Sequence, residues 1–202
     1  MKRVQHKIIL GVLAAVFCVA AIHNADATSV KKMTVANLIK YGDKIIAGRV
    51  TAISDGFDSK NIPYTDITVA VSESLKGNVN GNYTFRQFGL VQPRQINGRT
   101  YLGVSPDGFP RFKKNEDVVL FLFKKTSLGF QSSAGLMQGK FTVTGRTLTN
   151  DVNNFGLFKD ITVNQSQLTP DEKKMLTVES GPLDNELFKG FVRKAVQQNW
   201  FN

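Results

Sequence analysis

Beyond residue 27 this chain contains no histidine and no cysteine: His6, His23 and Cys18 all fall in the first 27 residues. Residues 28–202 therefore cannot assemble a Ser-His-Asp triad or a Cys-His pair. Zinc sites built on imidazole or thiolate are excluded there too. No Gly-x-Ser-x-Gly elbow, Walker-type loop or nucleotide fingerprint occurs, so the sequence implies no cofactor. What remains is carboxylate chemistry or a Ser-Lys pair.

Glycoside hydrolysis needs two carboxyl groups about 5–10 Å apart across a cleft. The acids available are Asp55, Asp58, Asp66, Glu73, Asp107, Glu116 and Asp117. Glu116 and Asp117 are adjacent, so on a strand they face opposite sides. The acids in turns have a backbone reason to be there. Ser29 and Lys32 match Ser-x-x-Lys in a terminal stretch, and Ser72 could meet Lys76 only on a helix, whereas that stretch reads as strand. Asp55, Asp58 and Asn61 offer calcium-type oxygens in one loop, but without the EF-hand spacing; an ordinary polar hairpin loop is the expectation, and no metal site is assigned.

Binding is better supplied than catalysis. Fourteen of the 15 phenylalanines lie beyond residue 27, and Tyr64, Tyr83, Phe85 and Phe88 fall on strands, where core packing explains them most simply. The long segment from Val91 to Lys114 is different. It is rich in Gly, Pro, Asn and Arg, and it gathers Arg94, Arg99, Tyr101, Phe109, Arg111, Lys113 and Lys114 into one loop region. Those seven residues are the expected binding surface. Setting aside Lys2, Arg3, Lys7 and Asp26 takes the formal net charge from +10 to +8, which favours anionic partners. The densest basic groups, Arg111-Phe112-Lys113-Lys114 and Lys124-Lys125, bracket one apolar run and would sit about 30 Å apart along it.

The first 27 residues read as an export signal. Lys2, Arg3 and Lys7 precede an apolar run from Ile8 to Ala21, and Ala25-Asp26-Ala27 is a small-x-small cleavage site, so the mature chain is expected to begin at Thr28. An uncleaved anchor and a lipidated Cys18 are the alternatives; the run is short for a span, and the bulky Phe17 suits lipidation poorly. Taking 27 from 202 leaves 175 residues, enough for one domain. A domain without cysteine that is nonetheless exported fits a bacterial periplasmic or secreted protein. Export makes nucleic acid a poor partner, and the mature chain has no expected transmembrane span. Two sequons, at Asn82 and Asn164, would matter only in a eukaryotic secretory route.

The elements that must hold these residues are mostly strands. Thr34 caps a short helix bearing Val35, Leu38 and Ile39, with Gly42 as its stop. Lys44–Ile53 is a strand, followed by a polar loop from Asp55 to Pro63. Tyr64–Ser74 alternates cleanly, with Thr65, Ile67, Val69 and Val71 on one face. Asn82–Leu90 is a third strand, with a short one expected over Tyr101–Val104. Val118–Phe123 is apolar at every position, so it should be covered on both faces and central. Gly139–Val143 and Phe155–Val163 add strand candidates. Thr169-Pro170-Asp171-Glu172 starts a helix. Asp184 caps another, with Leu187, Phe188, Phe191, Val192, Ala195 and Val196 at helical spacing and Lys189, Arg193 and Lys194 pointing away. That helix is expected to pack on the sheet, with a membrane-surface role as the alternative.

Several phrases together resemble a family of uncharacterised exported bacterial proteins with a small β-barrel domain. They are Lys44-Ile45-Ile46-Ala47-Gly48-Arg49-Val50, Val69-Ala70-Val71-Ser72-Glu73-Ser74-Leu75-Lys76-Gly77, Gly108-Phe109-Pro110-Arg111-Phe112, Asn115-Glu116-Asp117-Val118-Val119-Leu120-Phe121-Leu122 and Gly135-Leu136-Met137-Gln138-Gly139-Lys140-Phe141. A second likeness, in the rhythm of the first strands, is to netrin-like OB barrels of metalloprotease inhibitors. Those use an N-terminal cysteine that this chain lacks. The resemblances imply a compartment and a fold, not an activity. The expected fold is mainly β: an OB- or netrin-like antiparallel barrel over residues 28–165, with a short N-terminal helix, and a C-terminal helical segment, 166–202, packed on it. The expected function is non-enzymatic binding of an envelope or secreted protein, a protease among the candidates, or of an anionic glycan. A polysaccharide hydrolase with paired carboxylates is the alternative.

Overall fold

A computed structural model describes residues 32–96 and 98–201. The segment expected to be an export signal, with His6, Cys18 and His23, lies outside the described residues, as does Ser29.

Thr34 caps α1 (Val35–Tyr41) by accepting the Asn37 N–H, and Gly42 ends it. Seven residues do not make a stable helix alone; Val35, Leu38 and Ile39 hold it by burial. β1 (Lys44–Phe57), β2 (Pro63–Lys76) and β3 (Asn82–Phe88) form an antiparallel meander. After a small hairpin, β4 (Arg94–Ile96) and β5 (Arg99–Tyr101), the chain returns as β6 (Asp117–Leu122) on the free side of β1. β7 (Lys140–Thr144), β8 (Thr147–Asn150) and the two-residue β9 (Leu183–Asp184) complete a seven-stranded antiparallel sheet in the order β3-β2-β1-β6-β7-β8-β9.

β6 behaves as its unbroken apolar run predicts. It sits between β1 and β7, and its alternate residues feed two different cores. Val118, Leu120 and Leu122 join Ile46, Val50, Ile67, Val69 and Phe85 on one face. Val119 and Phe121 join Phe141, Phe188, Phe191 and α1 on the other. The β1–β2 ladder slips at three points, one of them at Ala47/Gly48. Such bulges bend and twist a sheet. Gly48 is required there, because a Cβ would lie 2.2 Å from the Ala70 carbonyl oxygen. Past β6, the stretch 130–133 runs from the end of β6 to the outer edge of β3. Phe123 donates to the Ser132 carbonyl at 2.9 Å, and Gln131 to that of Arg86 at 2.8 Å. Phe130 bridges Arg86, and Ser133 bridges Leu122.

The helical end covers the second core. α2 (Pro170–Met175) opens with a capping box between Thr169 and Glu172. α3 (Asn185–Gln197), capped by Asp184, buries Phe188, Phe191, Val192 and Ala195. The Phe188 ring lies 5.1 Å from that of Phe141 and 6.3 Å from that of Phe121. The centre of the apolar face of α3 is thus covered, with Leu187 and Val196 half-buried at its edges. Among the described residues no helix is long and apolar enough to cross a membrane.

Four expectations are corrected. The first hairpin is longer than expected: β1 runs on to Phe57, and the loop is only 58–62. The strand expected at Tyr101–Val104 is instead the β4–β5 hairpin followed by a single bridge from Val104 to Leu90. Phe155–Val163 forms no strand. Its lead-in is knotted by Asn150 and Asn154, whose side-chain oxygens accept each other's backbone N–H at 2.7 and 2.9 Å, and Asn153, Asn154 and Asp160 take positive φ. Lys189, Arg193 and Lys194 do not simply point away. Lys189 and Arg193 reach Glu73 on β2, and Lys194 reaches Glu172 at the start of α2.

Candidate functional site

The segment from Val91 to Lys114 divides into two parts with different neighbours. Its start is pinned where Gly89, at φ +93°, passes so close to Ser105 that a Cβ would meet the Ser105 Cα at 2.4 Å. Buried Gln87 adds two donations, to Ser105 Oγ at 3.3 Å and to the Pro110 carbonyl at 3.2 Å. The first part is the β4–β5 hairpin, strapped to the tip of β1. Asp55 accepts the Val91 N–H at 2.8 Å and pairs with the Arg94 guanidinium. Tyr101 lies against Phe57 at 5.0 Å between ring centroids. Arg99 is exposed on β5.

The second part crosses the sheet face away from α3 and walls a cavity of about 750 Å³. Phe109, Arg111 and Lys113 line it, with Asp107, Met137 and Asp151 among the other walls. β7 supplies Lys140, Thr142 and Thr144 from one side of its alternation, while Phe141 on the other side enters the helix-covered core. Arg94, Arg99, Tyr101 and Lys114 do not line this cavity. The structure thus brings together Phe109, Arg111 and Lys113 out of the seven expected binding residues. It sets Arg94, Arg99 and Tyr101 on the hairpin, and leaves Lys114 exposed beside the cavity segment.

One ion pair holds the cavity segment in place. Lys140 is 4% exposed. Its Nζ donates to the Arg111 carbonyl at 2.7 Å and to Glu116 Oε2 at 3.0 Å, and it lies 5.1 Å from the centre of the Phe112 ring. Glu116 Oε1 in turn accepts the Lys113 N–H at 2.7 Å. Such a buried pair gains little net stability, but removing one partner strands the other charge. Sequence alone offers Glu116 as a candidate acid beside Asp117 and does not point to Lys140 as its partner. A lysine opening a strand, Gly139-Lys140-Phe141, was the available signal.

Most of the candidate acids are occupied elsewhere. Asp55 holds the hairpin. Asp58 accepts the Lys60 and Ile62 N–H groups of its own turn, each at 2.8 Å, as the polar hairpin loop expected there would have it. Asp66 makes a two-pronged pair with Arg86, and Asp117 one with Arg49, which holds the Asp117 carboxyl below its usual range. Ser72 donates to the Ala47 carbonyl at 3.2 Å and Lys76 to that of Ile39 at 2.8 Å, so they do not meet. Of the candidate acids Asp107 remains; it lines the cavity together with Asp151, which sequence alone does not single out, and neither carboxylate has a hydrogen-bond or ion-pair partner among the described residues.

A second, smaller hollow of about 350 Å³ adjoins the first, with Phe109 lining both. Phe88, Phe123, Phe130 and Lys124 form its other walls, and the Phe88 and Phe130 rings lie 6.2 Å apart. The sequence carried one hint of it: Phe88 shares the polar face of its strand with Thr84 and Arg86. No family model, curated protein or solved structure matches this chain.

Proposed function

We propose that this chain is an exported, non-enzymatic binding protein that takes a segment of an envelope or secreted protein in the cavity between the 106–116 segment and β7. The observation that carries this reading is the cavity's mixed lining. Arg111 and Lys113 share it with Asp107 and Asp151, while Lys140 is already neutralised by Glu116. Balanced charge beside Phe109 and Met137 suits a polypeptide that presents both signs and an apolar side chain. A polyanionic glycan would meet the two acids as well as the two bases. The pattern of residues 1–27 supports export to the periplasm or beyond. The bridging of β3 and β6 by 130–133 supports an OB- or netrin-like barrel, capped by α3. On that fold analogy a protease is one partner of the right kind.

A second reading has one specific observation behind it. Asp107 and Asp151, without partners among the described residues and lining one cavity, are two carboxylates of the kind a glycoside hydrolase uses. One experiment separates the two. Residues 28–202 serve as bait for envelope and secreted proteins of the native host, alongside the Arg111→Glu/Lys113→Glu variant. The binding reading expects a protein held by the first and lost by the second. It falls if no protein is held while soluble polysaccharide is cleaved and cleavage disappears in Asp107→Asn or Asp151→Asn.

A further inference from the structure

We infer that the phenylalanine-lined hollow next to the cavity is an anchor site for one aromatic side chain, flanked by acidic residues, on the bound protein segment. This rests on the binding reading above and names what the partner must carry. Four rings, Phe88, Phe109, Phe123 and Phe130, wall a space of about 350 Å³. Phe88 is 40% exposed, on a strand face otherwise given to Thr84 and Arg86. Ring-lined hollows of this kind are where single buried side chains concentrate binding energy.

The polar groups nearby favour an apolar occupant. Gln131 spends both ends of its amide internally: its Oε1 accepts from Tyr83 Oη at 2.7 Å, and its Nε2 donates to the Phe123 carbonyl at 2.7 Å. Thr126 Oγ1 accepts the Phe130 N–H at 3.1 Å. A sugar ring would need several free partners for its hydroxyls, and beside four rings the lining offers it the Ser132 hydroxyl, the Thr126 O–H and the Lys124 ammonium, fewer than a ring of hydroxyls would use. An aromatic side chain needs none.

Charge selects the neighbours of that side chain. Lys124 is the charged residue in the lining, Lys125 follows it, and no acid lines the hollow. Phe109 is the shared wall, so a chain leaving the hollow across it enters the cavity, where Arg111 and Lys113 stand with Asp107 and Asp151. Acidic residues next to the aromatic anchor complement Lys124 and Lys125 at the hollow itself, and residues of either sign can follow in the cavity.

The test uses residues 28–202 and three fluorescein-labelled dodecapeptides, read by anisotropy. The parent carries one phenylalanine among aspartates; one twin replaces the phenylalanine with alanine, and the other replaces the aspartates with asparagine. Fluorescein-labelled dextran sulfate is the fourth probe. The expected result is saturable binding of the parent and at least about tenfold weaker binding of both twins. Phe88→Ala and Lys124→Glu, both at the surface, should each weaken the parent by a similar factor with the melting temperature unchanged. The inference is overturned if the parent does not bind, if the alanine twin binds equally, or if Phe88→Ala has no effect. It is also overturned if dextran sulfate displaces the parent and depends on Phe88 in the same way, which would make the hollow a glycan site. Partner capture scores the cavity through Arg111 and Lys113, whereas the peptides score the hollow through Phe88 and Lys124, so either reading can fail without the other.

Discussion

The two faces of the sheet finish their surfaces in opposite ways. On the helix-covered face, α3 buries Phe188, Phe191, Val192 and Ala195, and the basic residues beside them are matched by Glu73 and Glu172. On the other face, a loop segment instead of a helix lies over the strands. It leaves a cavity with Asp107 and Asp151 unpartnered and a hollow with Phe88 partly in water. A helix brings its own hydrogen bonds and one continuous apolar stripe, so it can close a core completely. An irregular segment must satisfy its backbone piecemeal, through groups such as Gln87, Lys140 and Glu116, and gaps remain between those anchor points. Both faces cover a buried core; the loop-covered, open one has in addition the room that the binding proposed above requires.

The comparison breaks first, if it breaks, at Phe188. This ring is fully buried between Phe121 and Phe141. Phe188→Ala should cost about 4 kcal/mol in urea unfolding, through lost burial and the hole left behind. Peptide affinity per folded molecule should not change. A loss below about 1 kcal/mol would mean that α3 is not what closes that face.

Lys140 gives the matching experiment on the open face. Lys140→Met leaves Glu116 with a buried carboxylate and frees the 111–116 segment, at a cost of about 3 kcal/mol. Lys140→Met/Glu116→Leu should recover most of that stability, because no lone charge remains. Hydrogen exchange at the Lys113 amide should nevertheless rise in both variants: Glu116 holds that amide at 2.7 Å, and the double variant removes the carboxylate altogether. A silent single variant would mean that the pair is not the anchor of the cavity wall.

The closed face was far more legible in the sequence than the open one. The unbroken run Val118–Phe123 announced a strand covered on both sides, and Leu187, Phe188, Phe191 and Val192 announced the helix that covers one of them. Those signals are local and periodic, and burial simply executes them. β8 was missed because Thr147-Leu148-Thr149-Asn150 has a single apolar residue, too few to show alternation. The strand expected at 155–163 failed because Asn150 and Asn154 meet through a network that spacing does not encode. The site failed in a similar way. Arg94 and Tyr101 stand near Arg111 in sequence, yet Asp55 and Phe57, from a distant strand tip, hold them elsewhere. Phe88 at the end of β3 and Phe123 just past β6 share a hollow with Phe130 because 130–133 bridges β3 and β6. Periodicity predicts which face a residue takes, not which loop will arrive opposite it.

The smallest effect, and the one that sharpens the contrast most, is in pH. Burial alone would raise the Glu73 carboxyl, but hydrogen bonds from Arg193 and Lys189 outweigh it and hold Glu73 below the usual carboxylate range. Glu172 is likewise opposed by burial and held low by Lys194 and the Thr169 N–H. A carboxyl whose folded pKa is depressed contributes stability that is fully present above its unfolded value, about 4.3, and is lost as the pH falls through the folded value. At pH 7 Glu73→Gln should therefore melt about 2–4 °C below the parent, and Glu172→Gln by a similar amount, in line with about 1 kcal/mol each. Each gap should close as the pH falls from about 5 to 3, because the parent loses the charge that its variant already lacks. A gap that stayed constant across that range would mean that the α3 face is held by packing alone, with its ion pairs idle.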